Sequence, residues 1–232
     1  MIKDNLQKVK ERISSVCSKI NRDPGSVTIV CVSKGRGIEQ IKEAIETGIT
    51  DIGENRVQEA KRKYGGRFAI SDKHMKLHMV GHLQTNKVKD ALNIFDLIQS
   101  VESMHLADAI NREAAKINKV QDILIEVKTS QGEATKSGLK PEETPGVVSE
   151  IAKFKNINIK GLMTIAPIVS NTEETRPYFR SLRNLRDKIN ALPGTREPLT
   201  VLSMGMTDDF EVAIEEGANM IRLGRAIFEN VK

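Results

Sequence analysis

The sequence predicts a single-domain α/β fold, a (β/α)8 barrel of the TIM type with an extra N-terminal helix. Three observations carry this. Short runs rich in β-branched residues alternate with amphipathic stretches about eight times along the chain, the count of a closed barrel rather than an open five- or six-stranded sheet. The length of 232 residues suffices for one large domain with a buried core. No linker divides the chain, so residues 1–232 read as one domain, with TSQGEATKSG and PGTREP as loops within it.

The first segment places Ile2, Leu6, Val9, Ile13, Val16 and Ile20 in steps of four and three, which draws one apolar stripe along a helix. This helix is expected to lie across the outside of the domain. Pro24 and Gly25 break the pattern, and residues 27–32 follow as the continuous β-branched run of a strand buried on both faces. Further strands are predicted at 50–52, 77–80, 97–99, 123–127, 159–163, 199–202 and 220–223. Between them stand the amphipathic stretches IEQIKEAIETG, NKVKDALNI, MHLADAINREAAKI, TPGVVSEIAKF and TRPYFRSLRNLRDKIN.

Composition narrows the function classes. Hydrophobic residues make up 39% and charged ones 29%, the balance of a soluble globular chain. No window offers the roughly 20 consecutive apolar residues of a membrane span. The N-terminus, MIKDNLQKVK, lacks the apolar core of a signal peptide, so a cytoplasmic location is expected. A net charge of +5 admits nucleic acid as a partner, but 36 basic residues are interleaved with 31 acidic ones, and aromatics are only 3%. That leaves little to stack on bases. The one basic run, Lys61-Arg62-Lys63, reads as a solvated helix end. Cys17 and Cys31 are too few for a disulfide scaffold and lack metal-ligand spacing, so both read as buried small hydrophobes. No apolar stripe is left uncommitted, and a monomer is expected.

In such a barrel function sits at the carboxyl ends of the strands, with a phosphate expected near the loops after strands seven and eight. The seventh strand runs into Ser203-Met204-Gly205-Met206 and the eighth ends in Arg222-Leu223-Gly224-Arg225. A hydroxyl, two glycines that let backbone N–H groups approach an anion, and a helix start just beyond would cradle a phosphate. Ordinary turn glycines would read the same way. Lys34 stands two residues past the first strand, in CVSKGRG. A lysine at a barrel strand end, partly desolvated and near other cations, can supply the neutral amine that attacks an aldehyde; most loop lysines are simply solvated. Arg222 brings donors and no acceptor, and a pair with Asp208 or Asp209 is its other reading.

The segments VTIVCVSKGR, DIGENRVQEAKRKY, HMVGHLQTNKVKDAL, KSGL, GLMTIAP and LSMGMTDDFEVAIEEGANMIRLGRAIF span nearly the whole chain. They closely resemble the pyridoxal phosphate homeostasis protein family, whose fold is like the N-terminal barrel of alanine racemase. The resemblance implies pyridoxal 5'-phosphate (PLP) as the cofactor, held as a Schiff base on Lys34, with Arg222 at the ring nitrogen and Ser203, Gly224 and Arg225 at the phosphate. Asn55, in GENRVQE, matches a position near the ring face or its phenolic oxygen, and Met163, Met204 and His82 match the pocket wall. Packing is the alternative role of the methionines, and a hydrogen-bonded core position that of His82.

Two departures from the family pattern stand out. Arg225 occupies a place usually small or polar, so its backbone N–H is expected to donate while its side chain swings away. Gly35-Arg36-Gly37 stands where the family continues the lysine motif with Thr, which removes a hydroxyl and predicts a more mobile loop.

The resemblance also implies a role in intracellular PLP homeostasis and carriage, with PLP-dependent apoenzymes as partners and no efficient turnover. An arginine at the ring nitrogen donates to an unprotonated nitrogen and leaves the ring a weak electron sink. The rival readings are a PLP-dependent amino-acid racemase and a phosphate-binding barrel enzyme without PLP. Racemisation needs acid–base groups on both faces of the reacting carbon. Alanine racemases bring a tyrosine on a second domain, for which this chain has no room, and Tyr64 and Tyr178 fall in helical segments as packing or surface residues. Were Lys34 not the anchor, Lys136 in TKSGL would be the next lysine to consider.

Overall fold

Each apolar run becomes a strand of one closed, all-parallel barrel in the computed structural model, which describes residues 1–65, 75–130, 137–193 and 196–229. In chain order the strands are β1 Thr28–Val32, β2 Asp51–Glu54, β3 Lys76–Met79, β4 Leu97–Val101, β5 Gln121–Glu126, β6 Ile157–Met163, β7 Val201–Ser203 and β8 Met220–Leu223. Sequence neighbours are barrel neighbours, and β8 closes on β1 in the register Thr28↔Met220 to Cys31↔Leu223. The fold is therefore the (β/α)8 barrel that the alternation predicts.

The period-two rule sorts the strand residues into two layers. Val30, Val80, Leu97, Leu124, Met163 and Met220 form an inner cluster, while Cys31, Ile52, Ile98, Ile125, Leu202 and Leu223 belong to the outer one, against the helices. Inside the barrel the apolar layer is shared with buried polar side chains, among them His78, Gln99, Ser203 and Arg222. Cys17 and Cys31 are free and buried, and burial pushes the Cys31 thiol up to about 12.

The helices described are α1 Ile2–Lys19, α2 Ile38–Glu46, α3 Val57–Tyr64, α4 Val88–Leu92, α5 Met104–Lys116, α6 Thr144–Ile151, α7 Arg176–Asn190, α8 Phe210–Glu215 and α9 Arg225–Phe228. The stripe of α1 is buried from Ile2 to Cys17 against α2, α8 and α9. Arg12 on its outer side lies over the Phe210 ring and grips Glu211 with two hydrogen bonds of 3.0 and 2.8 Å. Ile20 falls outside the stripe and is exposed, because the helix ends at Lys19 and Asn21 turns the chain with φ 51°. Among the described residues no helix is long and apolar enough to cross a membrane.

The basic run at 61–63 departs from expectation. Lys63 is buried, because the helical repeat turns it inward from α3 onto Glu54 at 2.7 Å and Glu59 at 2.8 Å. Lys61 stays outside and pairs with Asp90.

Gly161 marks the closest approach of two barrel strands. A Cβ there would sit 1.9 Å from the Val201 carbonyl oxygen, the residue it faces in the β6–β7 register. Gly161→Ala should therefore cost roughly 3 kcal/mol in urea unfolding. Gly146→Ala in α6 meets nothing within 4 Å and should be neutral or stabilising by up to about 1 kcal/mol. Equal stabilities for the two variants would contradict the packing described here.

Candidate functional site

The carboxyl ends of β1, β7 and β8, with the turn after β2, enclose a pocket of about 430 Å³ whose wall includes Val32, Lys34, Asn55, Thr207, Arg222 and Gly224. A larger groove of about 750 Å³ lies between α4 and α5, away from the strand ends. Its charged residues are largely paired with their own helix, Arg112 with Asp108 and Lys116 with Glu113. Position therefore favours the smaller pocket. Among the described residues no cluster of His, Cys, Asp and Glu could hold a metal ion.

Arg222 forms the pocket's floor. It points inward from β8, 5% exposed, and donates to the Ser203 hydroxyl at 2.7 Å and the Thr164 carbonyl at 2.8 Å. Burial lowers its pKa to about 10, against the pull of Glu126 and Asp209, so it remains a cation at neutral pH. It bonds to neither of the partners proposed from sequence. Asp208 pairs with Arg225, and Asp209 accepts the Met206 N–H at 2.6 Å.

Lys34 is exposed two residues beyond the end of β1, between this pocket and a second recess that Asn55 also borders. The residues flanking it are held firmly. Ser33 donates to Glu54 at 2.6 Å and lies 3.0 Å from the Tyr64 hydroxyl, its carbonyl accepts from Lys63 at 2.6 Å, and the Gly35 N–H donates to Glu59 at 2.8 Å. Lys63 thus has three acceptors for its three hydrogens. Tyr64 is not a surface or purely packing residue: its hydroxyl reaches the end of β1, and burial raises its pKa.

The loop expected to be mobile has a partner at each residue. Gly35 takes φ +70° and binds Glu59, Arg36 pairs with Glu229 and lies over the Phe228 ring, and Gly37 donates to Gln40. The positive φ explains why glycine suits position 35.

Several residues expected at the site lie elsewhere. Ser203 is buried below the pocket, its oxygen accepting from Arg222 and its hydrogen given to Gln99 at 2.6 Å, so it has no donor left for a phosphate. Strand alternation turns Met204 outward into the helix-facing core, away from any pocket wall. Met163 is a fully buried member of the inner cluster, beneath the pocket. His82 is neither core nor floor: its side chain is half exposed, 2.9 Å from Glu102, and borders the second recess. Arg225 is 58% exposed and paired with Asp208, and both residues stay at the edge of the pocket. Its N–H and that of Gly224 open α9, where the first helical donors lack intrahelical partners. Lys136 lies outside the described residues.

Two residues at or beside the pocket were missed. Thr207, four residues after Ser203, lines the pocket and accepts the Ala226 N–H at 3.3 Å; LSMGMT contained it as the second hydroxyl of the turn. Glu126 ends β5 on the inward phase, two residues after Leu124, with only 6% exposed. Burial and then the neighbouring Glu102 push its carboxyl up to about 7, Arg222 opposing. A carboxylate within the apolar run ILIEV was the available signal.

Comparison with known proteins gives a consistent set of likenesses. The family model described as alanine racemase, N-terminal domain, matches residues 4–230. A pyridoxal phosphate homeostasis protein of Aquifex aeolicus is 42% identical over 97% of this chain and 96% of its own length. Among solved structures, a protein of unknown function from Bifidobacterium adolescentis superposes with TM-score 0.88 at 36% identity, covering 98% of this chain and 94% of its own. PipY of Synechococcus elongatus, solved with PLP bound, superposes with TM-score 0.80 at 32% identity, covering 95% and 99%.

The raised Glu126 pKa has a signed consequence. A carboxyl whose folded pKa lies above its unfolded one stabilises the fold fully below the unfolded value, and that contribution disappears as pH rises through the folded value. Between the ordinary 4.5 and about 7, wild type should lose thermal stability relative to Glu126→Gln. Melting temperatures across this window that run parallel for the two proteins would refute the assignment.

Proposed function

Because the chain belongs to the pyridoxal phosphate homeostasis protein family and to that of the alanine racemase N-terminal domain, we propose that it binds PLP at the barrel mouth and keeps it available inside the cell without efficient turnover of its own. One observation carries the reading. A primary amine, a buried guanidinium that only donates, and a glycine turn opening a helix converge on one pocket. This donor set fits the group, since bound PLP supplies an aldehyde for an amine, a ring nitrogen that accepts a hydrogen bond, and an anionic phosphate.

Lys34 is the amine that forms the Schiff base, and Asn55 borders the pocket beside it. Arg222 serves the ring nitrogen; unable to yield its proton, it favours storage over carbanion chemistry. The backbone N–H groups of Gly224 and Arg225 and the Thr207 hydroxyl hold the phosphate, with Thr207 taking the part first read into Ser203. Hydrogen bonds to a charged group contribute about 1.5–3 kcal/mol each. Two or three of them strengthen retention by several decades, at roughly 1.4 kcal/mol per decade.

Turnover as a racemase would need a second acid–base group facing Lys34 across the pocket. The Tyr64 hydroxyl is bonded to Ser33, outside the barrel, and Tyr178 sits on α7. The reading takes residues 1–232 as one domain, a cytoplasmic monomer that passes PLP to dependent apoenzymes.

Mass spectrometry of the borohydride-reduced, digested protein should find a pyridoxyl adduct on Lys34. No adduct, or one on Lys136 alone, would overturn the proposal. Lys34→Ala should lose the adduct and keep weaker, non-covalent binding. Thr207→Val should raise the PLP dissociation constant about tenfold, measured by equilibrium dialysis; an unchanged constant would remove Thr207 from the phosphate site. L-alanine incubated with the loaded protein should retain its optical activity.

A further inference from the structure

The layers inside a barrel of this type are ordinarily apolar, yet a line of polar side chains crosses this one. Arg222 on β8 donates to the Ser203 oxygen on β7 at 2.7 Å, and Ser203 donates to Gln99 Oε1 on β4 at 2.6 Å. Gln99 Nε2 lies 2.9 Å from His78 Nδ1 on β3, and His78 Nε2 lies 2.9 Å from Asp51 Oδ1 on β2. All five residues are buried, with less than a tenth of their surface exposed, Asp51 the most at 9%.

The direction of every link follows from the first. A guanidinium has no acceptor, so Ser203 must receive from Arg222 and pass its own hydrogen to Gln99. That fixes the amide with its oxygen toward Ser203 and its nitrogen toward His78. Its second N–H meets the Met220 sulfur at 3.2 Å, so both amide hydrogens have acceptors. His78 Nδ1 is consequently a bare acceptor, and the ring proton sits on Nε2, where it donates to Asp51. Asp51 Oδ2 accepts from Thr50 at 2.7 Å. Burial raises the Asp51 pKa, but the bonds from His78 and Thr50 together with nearby positive charge outweigh it and leave the pKa lowered, so the far end of the chain is an anion. A cation at one end and a carboxylate at the other, joined by hydrogen bonds that all point one way, polarise each link in between.

We propose that Gln99 and His78 are positioning residues: through Ser203 they orient the Arg222 guanidinium and fix which of its N–H groups remain for the ring nitrogen of PLP. The inference rests on the reading of Arg222 given above. It adds two residues on β3 and β4 that do not line the pocket. Their place in the binding chemistry comes only through the residue they hold. The other charges near Arg222 are Glu126 and Asp209, neither of which is bonded to it, so its direction depends on Ser203 and the Thr164 carbonyl.

The first test needs no ligand. Nitrogen-15 spectra of the histidine rings, with the His78 signals assigned by their loss in His78→Asn, should show Nδ1 unprotonated and Nε2 protonated at neutral pH. A protonated Nδ1 in wild type would overturn the proposal. The second test separates positioning from mere filling. Gln99→Met keeps the volume and cuts both links; it should release PLP about tenfold faster and shift the visible band of the loaded protein. Gln99→Glu keeps the acceptor for Ser203 and should restore the release rate to within about twofold of wild type, while its His78 gains a proton on Nδ1. A folded Gln99→Met protein with wild-type release and spectrum, and an adduct still on Lys34, would sink this inference alone. Absence of any Lys34 adduct in wild type would sink the PLP reading first, and this inference with it.

Discussion

The interior of this barrel is organised around one fact about one side chain: Arg222 is a buried cation that can donate hydrogen bonds and accept none. Leaving such a group short of acceptors in a desolvated site is costly, and the fold answers with the Thr164 carbonyl and the Ser203 hydroxyl. Those two contacts use part of its five donors. Arg222 also lines the pocket, where a neutral acceptor suits a cation whose charge Glu126 and Asp209 already balance in part. On the proposed reading, a protonated ring nitrogen would bring a second cation against this one, and storage of the cofactor fits such a floor better than carbanion catalysis.

Lys34 is secured differently. Its own side chain is exposed, but the backbone on either side is gripped by Glu54, Glu59 and Lys63 from β2 and α3. The amine therefore moves on a fixed stem. Such a division suits the tether proposed for Lys34, which needs freedom at its tip to form and release a bond and a fixed origin so that the bond forms in the right place.

Much of this was legible in the sequence where a single period governed the outcome. The β-branched runs and the α1 stripe specified the barrel because a strand buried on both faces and a one-sided helix leave distinct apolar patterns. The positions of Lys34 and Arg222 followed from strand ends. What escaped depended on inward or outward phase across short strands, where one residue changes the face. Ser203 and Met204 sit next to each other and point opposite ways, one into a hydrogen-bond chain and the other into the helix-facing core. Lys63 looked solvated because two of its three acceptors, Glu54 and the Ser33 carbonyl, lie outside its own helix and meet it only after folding. Glu126 showed as a lone acid in an apolar run, but its depth and its neighbour Glu102 came only with the closed barrel.

The register of β8 on β1 puts Val30 beside Arg222 and Cys31 beside Leu223. The amine of Lys34 and the turn at Gly224 therefore belong to opposite sides of the join where the sheet meets itself. A molecule attached to both works as a clasp over that join. Loading should resist any fluctuation that parts the first strand from the last, through mass action on the closed form. The same logic runs backwards, since an opening of the join that spares the rest of the barrel would pull the two proposed holds apart and offer a bound molecule a route of escape without global unfolding.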